Sequence, residues 1–249
     1  MRTSNPALNA GTFTGYGSYA ASETAMTLQG TVNKTGLLLL CVMLTASFTW
    51  KLFIDSGHSA AAVSSWIFVG AIGGFVVAMV TIFKKEWAPV TAPIYALLEG
   101  LLLGGLSSMF ESMYPGIVIQ AVALTFGTLF CLLMAYTSGF IRATENFKLG
   151  VVAATGAIML LYLVSFILGF FGIRIGFIHE GGPIGIVFSL FVVVIAALNL
   201  VLDFDFIEQG TRNGAPKYME WYGAFGLMVT LIWLYIEILR LLSKLRSRR

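Results

Sequence analysis

Residues 184–208 read IGIVFSLFVVVIAALNLVLDFDFIE. The first part, Ile184–Leu202, is apolar apart from Ser189 and Asn199, and as a helix it is long enough to cross a hydrocarbon core about 30 Å thick. The run then stops on Asp203 and Asp205 instead of simply ending. Carboxylates at membrane depth are costly to desolvate, so they face a protein-lined or watery interior and serve protons or ions. The stretch therefore carries two expectations: a membrane-spanning helix and an ionisable site near its end.

Working outward, six further apolar runs share the pattern: Gly36–Ile54, Val63–Phe83, Ala92–Phe110, Ile117–Tyr136, Gly150–Gly172 and Trp221–Leu242. The 249 residues are 58% hydrophobic and only 11% charged, where a soluble chain carries about a quarter charged residues. The ten-residue alternation of a transmembrane barrel is absent. The expected fold is an all-α membrane protein with seven transmembrane helices. A polar tail over 1–33, rich in Gly, Ser, Thr and Asn, reads as disordered and uncleaved, because its first apolar run starts only at Gly36. The helical domain is then 34–243 and a basic tail 244–249. Connections are short, the longest running from Asp203 to Glu220, so function is expected among the helices.

The net charge of +3 is small, and the basic residues form no stripe that would track phosphates, so nucleic acid is not an expected partner. Cys41 and Cys131 lie in apolar runs and read as small buried residues rather than a disulfide or metal knuckle. Gly100-Leu-Leu-Leu-Gly104 has the small-xxx-small spacing of a close helix contact. Lys and Arg on alternate sides favour a cytoplasmic N-terminus, with Arg2, Lys34, Lys84, Lys85, Arg142, Lys148, Arg212 and Lys217 inside against Lys51 and Arg174 outside. The C-terminal Lys244, Arg246, Arg248 and Arg249 run against that count and leave the sidedness of the tail open.

An enzyme is not expected. The His-Glu-x-x-His face of a zinc protease is missing, as is the Gly-x-Gly-Asp signature of intramembrane aspartyl proteases. His58 and His179 lie in loops, which leaves Ser107 and Ser108 without an evident base. The acids carry the chemistry instead. On a continuous helix Asp203 and Asp205 project about 200° apart, so both cannot face one cavity. Asp203 shares its face with Asn199, one turn deeper, and is the candidate for a buried site, whereas Asp205 pairs with Glu208 toward a solvated helix end. Glu237 has Arg240 within local reach, and Glu99 lies inside its run with no cation on its helix nearby. Two carboxylates held close cannot both ionise cheaply. Protonated, they hold helices together. Deprotonated, they repel and offer the oxygen ligands that calcium prefers. A pH-gated cation path follows, with no resident cofactor beyond a transient calcium ion.

Four stretches lend this a family context: Glu99–Gly104, Gln120–Thr125, Leu202–Ile207 and Leu234–Leu242. In order and placement they resemble the Bax inhibitor-1 family, also called the transmembrane Bax inhibitor motif family, in its bacterial YccA-like branch. The resemblance implies seven helices with the last one central, and a pH-sensitive calcium leak controlled by paired acids on spans six and seven. By the aspartate-to-isoleucine spacing that ends at Ile207, the first acid matches Asp203, and the second matches Glu237. Glu99, Asn199 and Asp205 are then the candidate pathway or ion-binding residues. Glu237 stands where the family usually has aspartate, and the family's span-two arginine has no counterpart between Val63 and Phe83. A second possibility is an interaction protein that regulates a membrane protease or a stress or cell-death machinery, with the acids serving helix packing and the N-terminal tail as its handle. A bacterial inner membrane is the expected location.

Overall fold

A computed structural model describes residues 25–172, 176 and 182–247. Among them run seven helices long and apolar enough to cross a membrane. They are α1 (Leu28–Asp55), α2 (Ala60–Phe83), α3 (Ala88–Met113, preceded by a single 3-10 turn at Lys85–Trp87), α4 (Ile117–Thr137), α5 (Glu145–Phe170), α6 (Pro183–Arg212) and α7 (Met219–Arg246). Helices satisfy every backbone polar group within the segment, which is what hydrocarbon demands.

The helices outrun the apolar runs at several ends. α1 takes in residues 28–33, which the sequence assigned to the tail; the rest of that tail, 1–24, lies outside the described residues. Thr27 caps α1, its hydroxyl accepting from Gly30 N at 2.9 Å, while its backbone is extended. Thr144 caps α5 in the same way from Phe147 N, which puts Lys148 inside a helix rather than in a loop. α6 continues past both aspartates to Arg212, so the connection to α7 is much shorter than expected. α7 runs to Arg246, and Lys244 is buried rather than part of a solvated tail. Cys131 is exposed on α4, contrary to its reading as a buried residue, and both cysteines are free.

The chain forms two compact units. In the unit holding the described part of 11–115 together with 206–229, α3 packs against both α1 and α2. The small-xxx-small face is the reason. A Cβ on Gly100 would fall on Thr45 Oγ1 and the Val42 carbonyl, and one on Gly104 on Thr49 Oγ1 and the Ala46 carbonyl, so α1 and α3 meet backbone to backbone. Gly70 of α2 approaches α3 likewise, a Cβ there standing 2.6 Å from the Leu98 carbonyl.

The other unit holds the described residues of 116–205 and 230–249. Its apolar centre is Ile158 of α5 with Val192 and Ile195 of α6, against which Ala154, Tyr162, Phe188 and Trp233 pack. Along the chain, α3 and α7 bury 56% of their apolar windows, whereas α1, α2, α4 and α5 bury 17–22% and present the remainder outward as a lipid-facing surface would.

Candidate functional site

The second unit places its polar side chains in one seam. Lys148, Thr155 and Tyr162 recur at seven-residue intervals on α5 and therefore share a face. Each meets an acid or amide of a neighbouring helix. Lys148 Nζ lies 2.9 Å from Asp205 Oδ2 of α6 and 3.4 Å from Glu145 on its own first turn. Asn199 Nδ2 donates to Thr155 Oγ1 at 2.8 Å and to the Ile195 carbonyl at 2.8 Å. Tyr162 Oη donates to Glu237 Oε1 at 3.0 Å. Arg240 Nη1 donates to Tyr162 Oη at 2.8 Å and to the two Glu237 oxygens at 3.0 and 3.2 Å, with its guanidinium over the Tyr162 ring. One turn further on, Lys244 Nζ donates to Ser189 Oγ at 2.9 Å and to the Gly185 carbonyl at 3.1 Å.

The acids separate as helical geometry required. Asp203 is fully buried and Asn199 nearly so, on one face of α6. Asp205 is no solvated helix end: its side chain is 19% exposed and bound to the buried Lys148, whose long stem lies in the interior while its ammonium meets a carboxylate. Glu208 pairs instead with Arg212 at 2.5 Å. Glu237, 2% exposed, has its ion pair with Arg240, the local partner visible in the sequence, and adds Tyr162, which was not.

Asp203 and Glu237 are reached from different levels of α5. The early end of α6 meets the late end of α7 at Ser189 and Lys244, so these helices run antiparallel. Asn199, one turn before Asp203, bonds Thr155, while Glu237 bonds Tyr162, seven residues and about 10 Å further along α5. Two stations are thus defined along the seam, Asn199–Asp203 at Thr155 and Glu237–Arg240 at Tyr162.

In the first unit, Glu99 is buried on α3 beside Gly74 of α2, where a Cβ would stand 2.8 Å from its Oε1. Tyr95, one turn earlier, hydrogen-bonds it and packs edge-on against Phe225 at 4.9 Å. Ser108 bonds back to the Gly105 carbonyl, a packing role. His58 stacks edge-on with Phe53, and His179 lies outside the described residues.

The sequence reading missed Glu220. It is fully buried at the start of α7, accepts from Thr27 N at 2.9 Å and Thr27 Oγ1 at 2.8 Å, and is ion-paired with Lys34 and, at 3.1 Å, with Lys217. Gly30 makes room for its carboxylate. Beside it, Met26 N donates to the Ala215 carbonyl at 2.6 Å, within an isolated Ala25–Pro216 bridge. The start of α1 is thereby clamped to the α6–α7 connection. Nothing local in the sequence announced it, because Thr27 and Lys34 lie far from Glu220 along the chain.

Seven apolar helices with an ionisable seam among them define a multi-pass integral membrane protein. The family model described as Bax inhibitor 1 like matches residues 5–247, and the chain belongs to that family. No curated protein and no solved structure gives a match.

Proposed function

We propose that the protein is a pH-sensitive cation leak, calcium being the cargo that the family resemblance implies. The observation that carries this reading is the seam itself: Lys148, Thr155 and Tyr162 on one face of α5, meeting Asp205, Asn199 and Glu237, with Asp203 one turn from Asn199. Buried ionisable groups in a spanning bundle mark substrate and ion pathways. Among the described residues no three His, Cys, Asp or Glu side chains gather as a metal site, and on this reading the cation is cargo met by one or two carboxylates at a time. At the Glu237 station, the guanidinium of Arg240 and the hydroxyl of Tyr162 hold the carboxylate, with the ammonium of Lys244 further along the same helix. A passing cation displaces Arg240 from these oxygens. Protonating Glu237 or Asp203 withdraws their oxygens from the cation, so flux falls on acidification. Glu99, Asn199 and Asp205 are the further pathway candidates.

The alternate loops that carry Lys84, Lys85, Arg142 and Lys217 support a cytoplasmic N-terminus, in the inner membrane of a bacterium if the YccA-like resemblance holds. No catalytic role is proposed for any residue. The rival reading is an interaction protein acting on a membrane protease or a stress or cell-death machinery. The clamp that fixes the start of α1 through Glu220 favours it, because it gives the preceding tail a firm base. Calcium entry into liposomes carrying purified, monodisperse protein tests the two. Entry above that of empty liposomes, retained when residues 1–24 are deleted, supports the leak; no entry at any pH supports the interaction reading.

A further inference from the structure

Between the two acid stations the seam is interrupted by an apolar layer. On α5, Thr155 is followed one turn later by Ile158 and then by Tyr162. On α6, running the other way, Asn199 is followed by Ile195, Val192 and Phe188. On α7, Trp233 precedes Glu237 by one turn. Ile158, Val192 and Ile195 are buried to within 8% of fully covered, and Ala154, Phe188, Trp233 and the Tyr162 ring close around them. Tyr162 and Phe188 meet edge to face at 6.2 Å. From Thr155 to Tyr162 the rise is about 10 Å, and the apolar layer fills its middle. Polar groups thus repeat above and below on the same faces of α5 and α6, with Ile158, Val192 and Ile195 between them.

We propose that Ile158, Val192 and Ile195 form the closed gate of the cation path, a hydrophobic constriction that separates the Asn199–Asp203 station from the Tyr162–Glu237–Arg240 station. The proposal rests on the leak reading. An apolar constriction too narrow to hold water blocks ions by dewetting, without any charged plug. Opening requires the helices to part at this level, so the stations regulate passage by holding α5 to α6 through Asn199–Thr155 on one side and α5 to α7 through Tyr162–Glu237 on the other. Polar side chains at the gate level wet the constriction without disturbing either station.

Val192→Thr and Ile158→Thr test this, the first keeping the side-chain volume, with Val194→Thr on the exposed face of α6 as control. Calcium entry into liposomes is measured at the pH where the wild type conducts least. Gate variants are expected to leak about tenfold faster, equivalent to about 1.4 kcal/mol of barrier, with the shape of the pH profile unchanged, and the control to match the wild type. If the gate variants equal the control while the wild type conducts, the gate is overturned and the leak reading stands. If nothing conducts, the leak reading fails and the gate with it. A flux-independent readout uses Val192→Cys in a protein whose Cys41 and Cys131 are replaced by serine. A charged thiol reagent should leave it unmodified, and should modify it once Ile158→Thr is added. Equal modification with and without Ile158→Thr overturns the gate.

Discussion

Arg240→Met probes the Glu237 station most directly. The substitution keeps an apolar stem against the Tyr162 ring but removes the guanidinium contacts at 3.0 and 3.2 Å to a carboxylate that is 2% exposed. Removing one partner of a buried ion pair costs about 3–5 kcal/mol because the other charge is left uncompensated. Arg240 itself is 36% exposed, so water already screens part of the attraction, and about 2–3 kcal/mol is the expected loss. The Tyr162 hydrogen bond remains and limits the damage. The deficit depends on the charge left uncompensated at Glu237. Adding Glu237→Gln removes the orphaned charge and should recover most of the loss, a coupling of about 2 kcal/mol. Unfolding in detergent micelles, followed for the wild type, both single variants and the double variant at several pH values, measures this. A cost for Arg240→Met that Glu237→Gln leaves untouched would refute the reasoning.

Three further outcomes follow from the packing and the ion pairs. Gly30→Val drives a Cβ into the Glu220 carboxylate, and should cost about 1–3 kcal/mol while speeding hydrogen exchange over residues 25–33, read by mass spectrometry. Gly100→Val meets the Val42 carbonyl, which cannot rotate away, and should sharply reduce the yield of monodisperse protein on size exclusion, whereas Gly127→Val, with open space around it, should not. Lys148→Met leaves Asp205 without its 2.9 Å partner and should lower stability by about 1–3 kcal/mol, with Asp205→Asn restoring it in the same unfolding assay.

The seven spans were legible because hydrocarbon length and apolar composition write themselves into every run. Their ends were not, because a helix continues through polar residues wherever its backbone and side chains find partners: Thr27 caps α1 before its apolar run begins, and α6 carries Asp203 and Asp205 within its last turns. Asp203 was separable from Asp205 by helical angle alone, and the local Glu237–Arg240 pair by spacing. Partners distant in sequence were invisible. Tyr162 lies 75 residues from Glu237, and Thr27 lies 193 from Glu220, so neither contact has a local signature. Lys148, 5% exposed, looked like a loop cation because nothing in its own segment announces Asp205. Motif spacing likewise fixes where an acid such as Asp203 or Glu237 lies on its own helix, but not the height at which two helices meet.

The account stands or falls on calcium entry into liposomes measured across pH for the wild type, Asp203→Asn and Glu237→Gln. It predicts wild-type flux that rises as these carboxylates ionise, and in each variant a lower flux with a weaker dependence on pH. Flux and pH profile identical to the wild type in both variants, from demonstrably folded protein, would contradict it.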